Sequence, residues 1–202
     1  MVKMNRESPL RYKLAFMAVC IALNAAGYSI AGNFELPFWL DTAGTCVSAC
    51  VLGPVYGGVT GLFSNVMMGI TDTVALVYSL INVALGVIVG LISSKGICRD
   101  IFNVICIGIG MGVFTTVCAT PLNCIFWDGY INNKWGDALF EMLENYSIAM
   151  PLRSLCGQAV VDIPDKALTF TLAYLIVLFL KNSGIYAAAD EKAQNSKTEG
   201  RQ

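Results

Sequence analysis

Three charged side chains, Asp162, Asp165 and Lys166, interrupt an apolar run at residues 160–170, VVDIPDKALTF. A charge next to hydrocarbon is costly, so such residues usually lie at an interface, inside a helix bundle or beside a water-filled cavity. Gln158 precedes Asp162 by about one helical turn, and both side chains can orient a small solute by hydrogen bonds. We expect Asp162 to face a solute cavity while Asp165 and Lys166 hold the local charge balance.

This run is compatible with two local structures. In the first, one kinked helix covers residues 150–181, and Asp162 pairs with Lys166, which follows it at i+4. In the second, a helix begins at Ile163, with Asp162 as its N-cap and Asp165 favoured in its first turn by the helix dipole. The sequence alone leaves both open, and either one puts the charges near the outer boundary of the hydrocarbon.

Carboxylates and aromatic residues also cluster in three connecting segments, 33–42 (NFELPFWLDT), 71–73 (TDT) and 127–146. Tryptophan and tyrosine are common at membrane interfaces whatever the function. All three tryptophans of the chain nevertheless lie on the same predicted face, which favours a binding surface. We expect stacking on a solute from Trp39, Trp127 and Trp135. We expect hydrogen bonds or charge pairing from Asp41, Gln158 and Asp162.

The residue inventory argues against several chemistries. The chain has no histidine, the commonest metal ligand and the usual proton shuttle at neutral pH, so we expect neither a zinc site nor a Ser-His-Asp triad. The eight cysteines form no CxxC pair and fall mostly in apolar runs, which is typical of buried packing thiols. No GxxxxGK[ST] phosphate loop is present in the sequence. We therefore predict no enzyme activity, no metal and no cofactor.

Composition indicates the class of protein that must position these side chains. The chain of 202 residues is 56% hydrophobic and 13% charged, with a mean hydropathy of +0.64. This leaves too little polar surface for a soluble domain, and a net charge of -1 does not suggest a nucleic-acid partner. We predict an all-α integral membrane protein. Residues 12–182 are predicted to form a domain of six transmembrane helices. The predicted spans are 12–32, 40–54, 56–71, 73–93, 101–127 and 150–181, with Gly53-Pro54 turning a helix hairpin between the second and third.

Basic residues predict the orientation of this bundle, because cytoplasmic loops carry an excess of lysine and arginine. If there are six spans, most basic residues fall on one side: Lys3, Arg6, Arg11, Lys13, Lys95, Arg99, Lys181, Lys192, Lys197 and Arg201. This bias places both termini in the cytoplasm, with residues 1–11 as a basic N-terminus. Residues 183–202 are predicted to be a disordered polar tail. The opposite, outer mouth is acidic.

Small residues form a stripe along the first span. Ala18, Ala22 and Ala26 recur at steps of four, a spacing that lets another helix approach closely. That helix could equally belong to the bundle of the protein itself.

Taken together, these features resemble the substrate-binding S components of energy-coupling factor (ECF) transporters, a class of ABC importer. The resemblance covers about residues 10–182 and includes the chain length, the six helices, the cytoplasmic termini and the alanine stripe. The stretches LPFWLDTAGT, VLGPVYGGVTGLFSN and DIPDKALTF are also similar to such proteins. The resemblance implies that an AxxxA motif, Ala18-x-x-x-Ala22 or Ala22-x-x-x-Ala26, docks on a transmembrane T subunit. It further implies capture of a vitamin or related micronutrient outside a bacterial plasma membrane, with two cytoplasmic ATPases driving uptake.

Two other classes of protein remain open on the sequence. A membrane sensor, the input module of a signalling protein, can use a similar Gly-rich bundle, and a small membrane enzyme could use an Asp/Lys pair. Copurification of ATPase subunits would favour transport, whereas turnover of a substrate by the chain alone would favour an enzyme. The sequence does not identify the solute.

Overall fold

The structure of this chain, a computed structural model, describes residues 9–97 and 100–183. Within these residues the regular structure is entirely helical and consists of eight helices. They are α1 (Leu10–Asn33), α2 (Ala43–Leu52), α3 (Pro54–Met68), α4 (Val74–Val77), α5 (Ser79–Ser94), α6 (Ile101–Phe126), α7 (Lys134–Glu144) and α8 (Met150–Asn182). The predicted all-α class is confirmed for this part of the chain.

Three of these helices, α1, α6 and α8, are long and apolar enough to cross a membrane. They coincide with the predicted first, fifth and sixth spans to within about two residues at each end. α2 and α5 are also apolar, but they have only 10 and 16 residues. Since a straight span needs about 20 residues, the count of six spans stays a prediction.

The predicted fourth span, 73–93, is wrong as a single helix. α4 ends at Val77 and α5 begins at Ser79, with Tyr78 between them. The break turns the Tyr78 hydroxyl toward α6, where it donates a hydrogen bond to Asn123 at 2.5 Å. A hydropathy pattern does not register this break, because the residues on both sides of it are apolar.

α8 is one helix of 33 residues that continues through Pro164. A proline inside a helix removes one backbone hydrogen bond, but packing from a neighbouring helix can sustain the helix around it. Here α6 packs closely on α8, since a Cβ atom added at Gly108 or Gly112 would come within 2.8 or 2.6 Å of its backbone. The alternative in which Asp162 caps a helix beginning at Ile163 is therefore wrong.

α2 lies at the centre of the bundle. Residues 42–51 are all buried, and α2 contacts α1, α3, α5 and α8. Gly53, at φ 100°, makes the turn into α3, and the Thr60 hydroxyl donates to Ser48 Oγ across the two helices at 2.8 Å. The predicted hairpin is thus present. The apolar core around it includes Cys46, Val47, Val51, Leu85, Val89, Val104 and Phe170.

Large apolar side chains cover the outward faces of the long helices. They recur at steps of three or four residues, so each set lies along one side of its helix. On α6 and α8 they include Ile105, Ile109, Val113, Val117, Leu168, Leu172, Leu175 and Phe179. Exposed apolar surface of this extent marks contact with lipid or with another protein, which agrees with a membrane protein.

The alanine stripe of α1 also faces outward. Ala18, Ala22 and Ala26 are exposed, as are the neighbouring Val19 and Leu23. Within the described residues the stripe is therefore not part of the interior of the bundle. It is open to lipid or to a partner helix, and its docking role stays a prediction.

The segment between α6 and α8 contains a helix that the sequence interpretation did not include. Asn133 caps α7 by accepting a hydrogen bond from the Trp135 amide at 3.1 Å. α7 packs against α8 through Gly136, where an added Cβ would lie 2.9 Å from the carbonyl oxygen of Gly157. The asparagine cap ahead of Trp135, Leu139 and later apolar residues was the available signal.

Several predictions fall on residues outside the described ranges, namely 1–8, 98–99 and 184–202. These residues include most of the basic N-terminus and nearly all of the predicted disordered tail. The cytoplasmic placement of both termini therefore stays a prediction.

Candidate solute-binding cavity

A cavity lies inside the bundle where the segment connecting α1 to α2, residues 34–42, meets α4, α5, α6 and α8. About 80 Å³ of it is open to the centres of water-sized molecules, several times the roughly 10–15 Å³ that one water needs. The apolar and aromatic part of its wall is Tyr28, Trp39, Val74, Ala75, Tyr78, Ile81, Leu85 and Ala119. The polar part is Asp41, Thr42, Asn65, Asn82, Thr115, Gln158, Asp162 and Lys166. A mostly apolar pocket with a few convergent polar groups is the usual form of a small-molecule site.

Four of the six residues predicted to contact a solute line this cavity: Trp39, Asp41, Gln158 and Asp162. Two of them come from the 34–42 segment and two from α8, so the fold brings together residues that are far apart in sequence. Their contact with a solute stays a prediction.

Asp165 fastens the 34–42 segment to α8. Its Oδ1 accepts hydrogen bonds from the backbone amides of Trp39 at 3.1 Å and Leu40 at 2.9 Å. On the other side, the segment touches α1 so closely that a Cβ atom at Gly27 would lie 2.1 Å from the carbonyl oxygen of Leu40. The segment is thereby held between two helices, and the side chains of Trp39 and Asp41 enter the cavity wall.

Lys166 is buried between two carboxylates, with only 5% of its side chain exposed. Its Nζ lies 2.5 Å from Oδ2 of Asp165 and 3.4 Å from Oδ1 of Asp41. The described residues contain no ion pair between Lys166 and Asp162, so the predicted i,i+4 pair is wrong. The predicted alternative partner, Asp165, is the one observed, and the 34–42 segment supplies Asp41 as a second carboxylate.

A chain of hydrogen bonds runs along one wall and ends on Asp162. The Tyr78 hydroxyl donates to Oδ1 of Asn123 at 2.5 Å, and Nδ2 of Asn123 donates to Oε1 of Gln158 at 2.8 Å. Nε2 of Gln158 then donates to Oδ1 of Asp162 at 2.9 Å. An ionised carboxylate only accepts hydrogen bonds, which sets the direction of the whole chain. In all three bonds the O–H or N–H group points along the chain toward Asp162.

A second amide chain determines the orientation of Asn82, another residue of the cavity wall. The carbonyl of Ala75 can only accept, so Asn65 presents Nδ2 to it, at 2.7 Å. Oδ1 of Asn65 then accepts from Nδ2 of Asn82 at 2.6 Å. The remaining polar atom of Asn82, the acceptor Oδ1, is buried and has no hydrogen-bond partner among the described residues.

Thr42 is the second residue of the cavity wall with an unpartnered polar atom. Its Oγ1 is buried, and it makes no hydrogen bond within the described part of the chain. A buried polar group without a partner costs about 1–3 kcal/mol, so two such groups beside one cavity suit a site that a polar ligand completes.

Polar residues line a second space next to the cavity. This wider space of about 280 Å³ shares Tyr28 and Trp39 with the first and is also lined by Glu35, Asp72 and Lys134. The Tyr28 hydroxyl donates to Asp72, which links α1 to the start of α4. Tyr28 and Trp39 therefore belong to the walls of both spaces.

Trp127 and Trp135 lie outside the wall of the main cavity. Trp127 stacks on Tyr78, with ring centroids 5.6 Å apart and planes at 17°, and so supports the wall from behind. Trp135 is 54% exposed, and its Nε1 donates to the carbonyl oxygen of Glu35 at 2.9 Å. This bond ties α7 to the 34–42 segment. A direct solute contact stays a prediction for both tryptophans.

Two tyrosines of the wall, Tyr28 and Tyr78, were not singled out from the sequence. Each one lies in or beside an apolar run, where a hydroxyl usually needs a hydrogen-bond partner. That requirement was the available signal, and Asp72 and Asn123 are the partners that meet it.

Comparisons with protein-family models, with curated proteins and with solved structures find no match to this chain. Within residues 9–97 and 100–183, no three side chains of the histidine, cysteine, aspartate and glutamate types are grouped as a metal would require. The function must therefore be inferred from the chemistry of the cavity.

Proposed function

We propose that this chain is the substrate-binding S component of an ECF-type ABC importer and captures a vitamin or related micronutrient at the outer face of a bacterial plasma membrane. A transmembrane T subunit and two ATPase subunits supply the energy for uptake. The proposal includes six spans, cytoplasmic termini and no catalytic activity of the chain itself.

The observation that carries the proposal is the cavity inside a bundle of apolar helices. Its charged and amide side chains are bonded to one another: Lys166 to two carboxylates, and Gln158 between Asn123 and Asp162. Such fixed polar groups in an apolar wall suit the orientation of a bound solute. They support a role in binding a solute, which is the part of transport that an S component performs.

The length of α8 supports an outward-facing site. The hydrocarbon core of a membrane is about 30 Å thick and takes about 20 helical residues. Counted back from Lys181 in the last turn of α8, this length reaches Asp162. If the basic end of α8 lies at the cytoplasmic boundary, the cavity lies close to the outer boundary.

The exposed alanine stripe supports a partner helix. Ala18 and Ala22 are exposed on the surface of α1 that faces away from the bundle, and their side chains are small. Small residues allow close approach of helices in membranes. A T subunit is the partner that the resemblance to S components implies.

Uptake measurements with paired variants test the proposal. Ala22→Trp should abolish ATP-driven uptake in cells while the purified protein still binds its solute. Leu175→Trp, at a 51% exposed position on α8, should leave uptake intact. Loss of uptake in both variants, or in neither, would contradict docking through α1. Failure of ATPase subunits to copurify with the wild-type chain would contradict the transport function itself.

A further inference from the structure

Negative charge exceeds positive charge around the cavity. Asp41 and Asp162 line it together with Lys166, and Asp165 shares the ammonium of Lys166 from behind the wall. Three carboxylates and one ammonium group thus lie in or beside the cavity wall, and Lys166 pairs with only two of the three, Asp165 and Asp41. In a site of low dielectric constant, uncompensated charge is costly, and a ligand of opposite charge lowers that cost.

No other described base is available to neutralise these carboxylates. Lys134 pairs with Glu35 and Arg153 with Glu144, both outside the main cavity. The remaining bases of the described ranges lie near the opposite ends of their helices: Arg11, Lys13, Lys95 and Lys181. The missing positive charge must therefore come from protons or from a bound solute.

Several donors of the wall are already used within the protein, whereas the buried acceptor of Asn82 is not used by any described residue. The donors of Tyr28 and Tyr78 point to Asp72 and Asn123, and Gln158 directs its amide nitrogen to Asp162. The Asn82 acceptor has no partner within the described residues, because the second amide chain uses its nitrogen. A solute with an N–H donor would supply the hydrogen bond that this acceptor lacks.

The rest of the wall suits a compact apolar or aromatic body. Trp39, Tyr28 and Tyr78 offer ring surfaces, and aromatic faces also attract cations. Tyr78 is held in place by its stacking on Trp127.

We infer, on the basis of the proposed function, that this cavity selects a compact organic cation with N–H donors, such as a protonated nitrogen base on a flat ring. It discriminates against neutral and anionic solutes of the same shape. Asp162 and Asp41 pair with the cationic group, and Asn82 accepts a hydrogen bond from it.

Three ring compounds of nearly equal shape test this selectivity: benzamidine, which is a cation with N–H donors, benzamide, which is neutral, and benzoate, which is an anion. Each is titrated by calorimetry into the full-length protein in detergent micelles, with empty micelles as the blank. Benzamidine should bind at least about ten-fold more tightly than benzamide, which is the difference expected for one charge-assisted hydrogen bond. Benzoate should not bind measurably.

Variants then assign this binding to the cavity. Asp162→Asn should weaken benzamidine at least about ten-fold, and Asp41→Asn provides the same test if Asp162→Asn does not fold. Asp137→Asn is the control, since Asp137 lies on α7, accepts from the Ile131 amide at 2.7 Å and does not line the cavity. It should leave the affinity unchanged.

The selectivity is overturned if benzamide or benzoate binds as tightly as benzamidine, if the folded cavity variants bind benzamidine like the wild type, or if none of the three compounds binds. Native mass spectrometry of the gently purified protein separates these failures from a failure of the proposed function. A retained neutral or anionic molecule would overturn the charge selectivity and leave the binding function standing. Retention of no molecule, together with no binding of the three compounds, would overturn both.

Discussion

Asp165 on α8 lies 2.9 Å from the backbone amide of Leu40, a residue 125 positions earlier in the chain, and accepts a hydrogen bond from it. Leu40 has a φ of 53°, a conformation that costs a non-glycine residue of order 1–3 kcal/mol and persists only where its surroundings hold it. The same carboxylate also accepts from the Trp39 amide and pairs with Lys166. One side chain therefore fixes the backbone that carries the wall of the cavity.

Replacing this carboxylate should destabilise the fold. Asp165→Asn keeps an acceptor for the amides but removes the nearer negative charge from the buried Lys166, and breaking a buried pair costs about 3–5 kcal/mol. The exposed pair of Lys134 and Glu35 offers a matched control, since Glu35→Gln should cost no more than about 1 kcal/mol. Denaturant unfolding in micelles measures both. Equal losses for the two variants would mean that the buried pair of Asp165 and Lys166 does not stabilise the fold.

Two glycines of α1 should respond to alanine in opposite directions. Gly27→Ala places a Cβ atom 2.1 Å from the carbonyl oxygen of Leu40, so the segment must move, at a cost of about 1–3 kcal/mol. At Gly32 nothing lies within 4 Å of an added Cβ, and alanine should stabilise the helix by up to about 1 kcal/mol. Melting temperatures of the two variants check this prediction. A neutral Gly27→Ala would show that the close approach of the segment to α1 is not needed.

The hydroxyl of Thr42 should not contribute to the stability of the protein without bound solute. Thr42→Val replaces a buried Oγ1 that has no hydrogen-bond partner among the described residues, so stability should stay the same or rise by about 1 kcal/mol. Thr45→Val is the matched control, because Oγ1 of Thr45 accepts from Nδ2 of Asn24 at 2.9 Å. Thr45→Val removes this acceptor and should lower the free energy of unfolding by about 1–3 kcal/mol. Thermal unfolding without added solute distinguishes the two variants. A large loss of stability in Thr42→Val would mean that the Thr42 hydroxyl makes a stabilising hydrogen bond, which contradicts the prediction.

Membrane orientation can be tested by chemical labelling of intact cells. A membrane-impermeant maleimide should label Asn132→Cys, since residue 132 is exposed just before α7. It should not label Lys197→Cys, which belongs to the predicted cytoplasmic tail. The unsubstituted protein gives the background from the native cysteines. Labelling of both positions to the same extent would contradict six spans with cytoplasmic termini.

The sequence predicted α1 and α6 well because each is a long apolar run. The same pattern predicted the extent of α8 but not whether its helix is continuous. The break at Tyr78 and the continuation of α8 through Pro164 did not follow from it, since both depend on contacts with α6. Local preference is often overridden by such packing.

The same distinction applies to the candidate site. Asp162 and Gln158 were predictable because polar residues in an apolar helix require partners, and Trp39 and Asp41 because they cluster in one segment. The pairing of Lys166 with Asp41 was not predictable, because it depends on how the 34–42 segment folds back onto α8. The unpartnered oxygen of Asn82 likewise emerges only from the order of bonds from Ala75 through Asn65.

The most direct test of a solute-binding role is native mass spectrometry of the gently purified protein and of a variant with a filled cavity. Ala119 is buried in the cavity wall, so Ala119→Leu should take up the space, whereas Val113→Leu on the exposed face of α6 should not. Thermal melting must first show that both variants are folded. We predict that the wild type and Val113→Leu carry the extra mass of one small molecule and that Ala119→Leu does not. No extra mass on the wild type, or the same mass retained by folded Ala119→Leu, would contradict solute binding in this cavity.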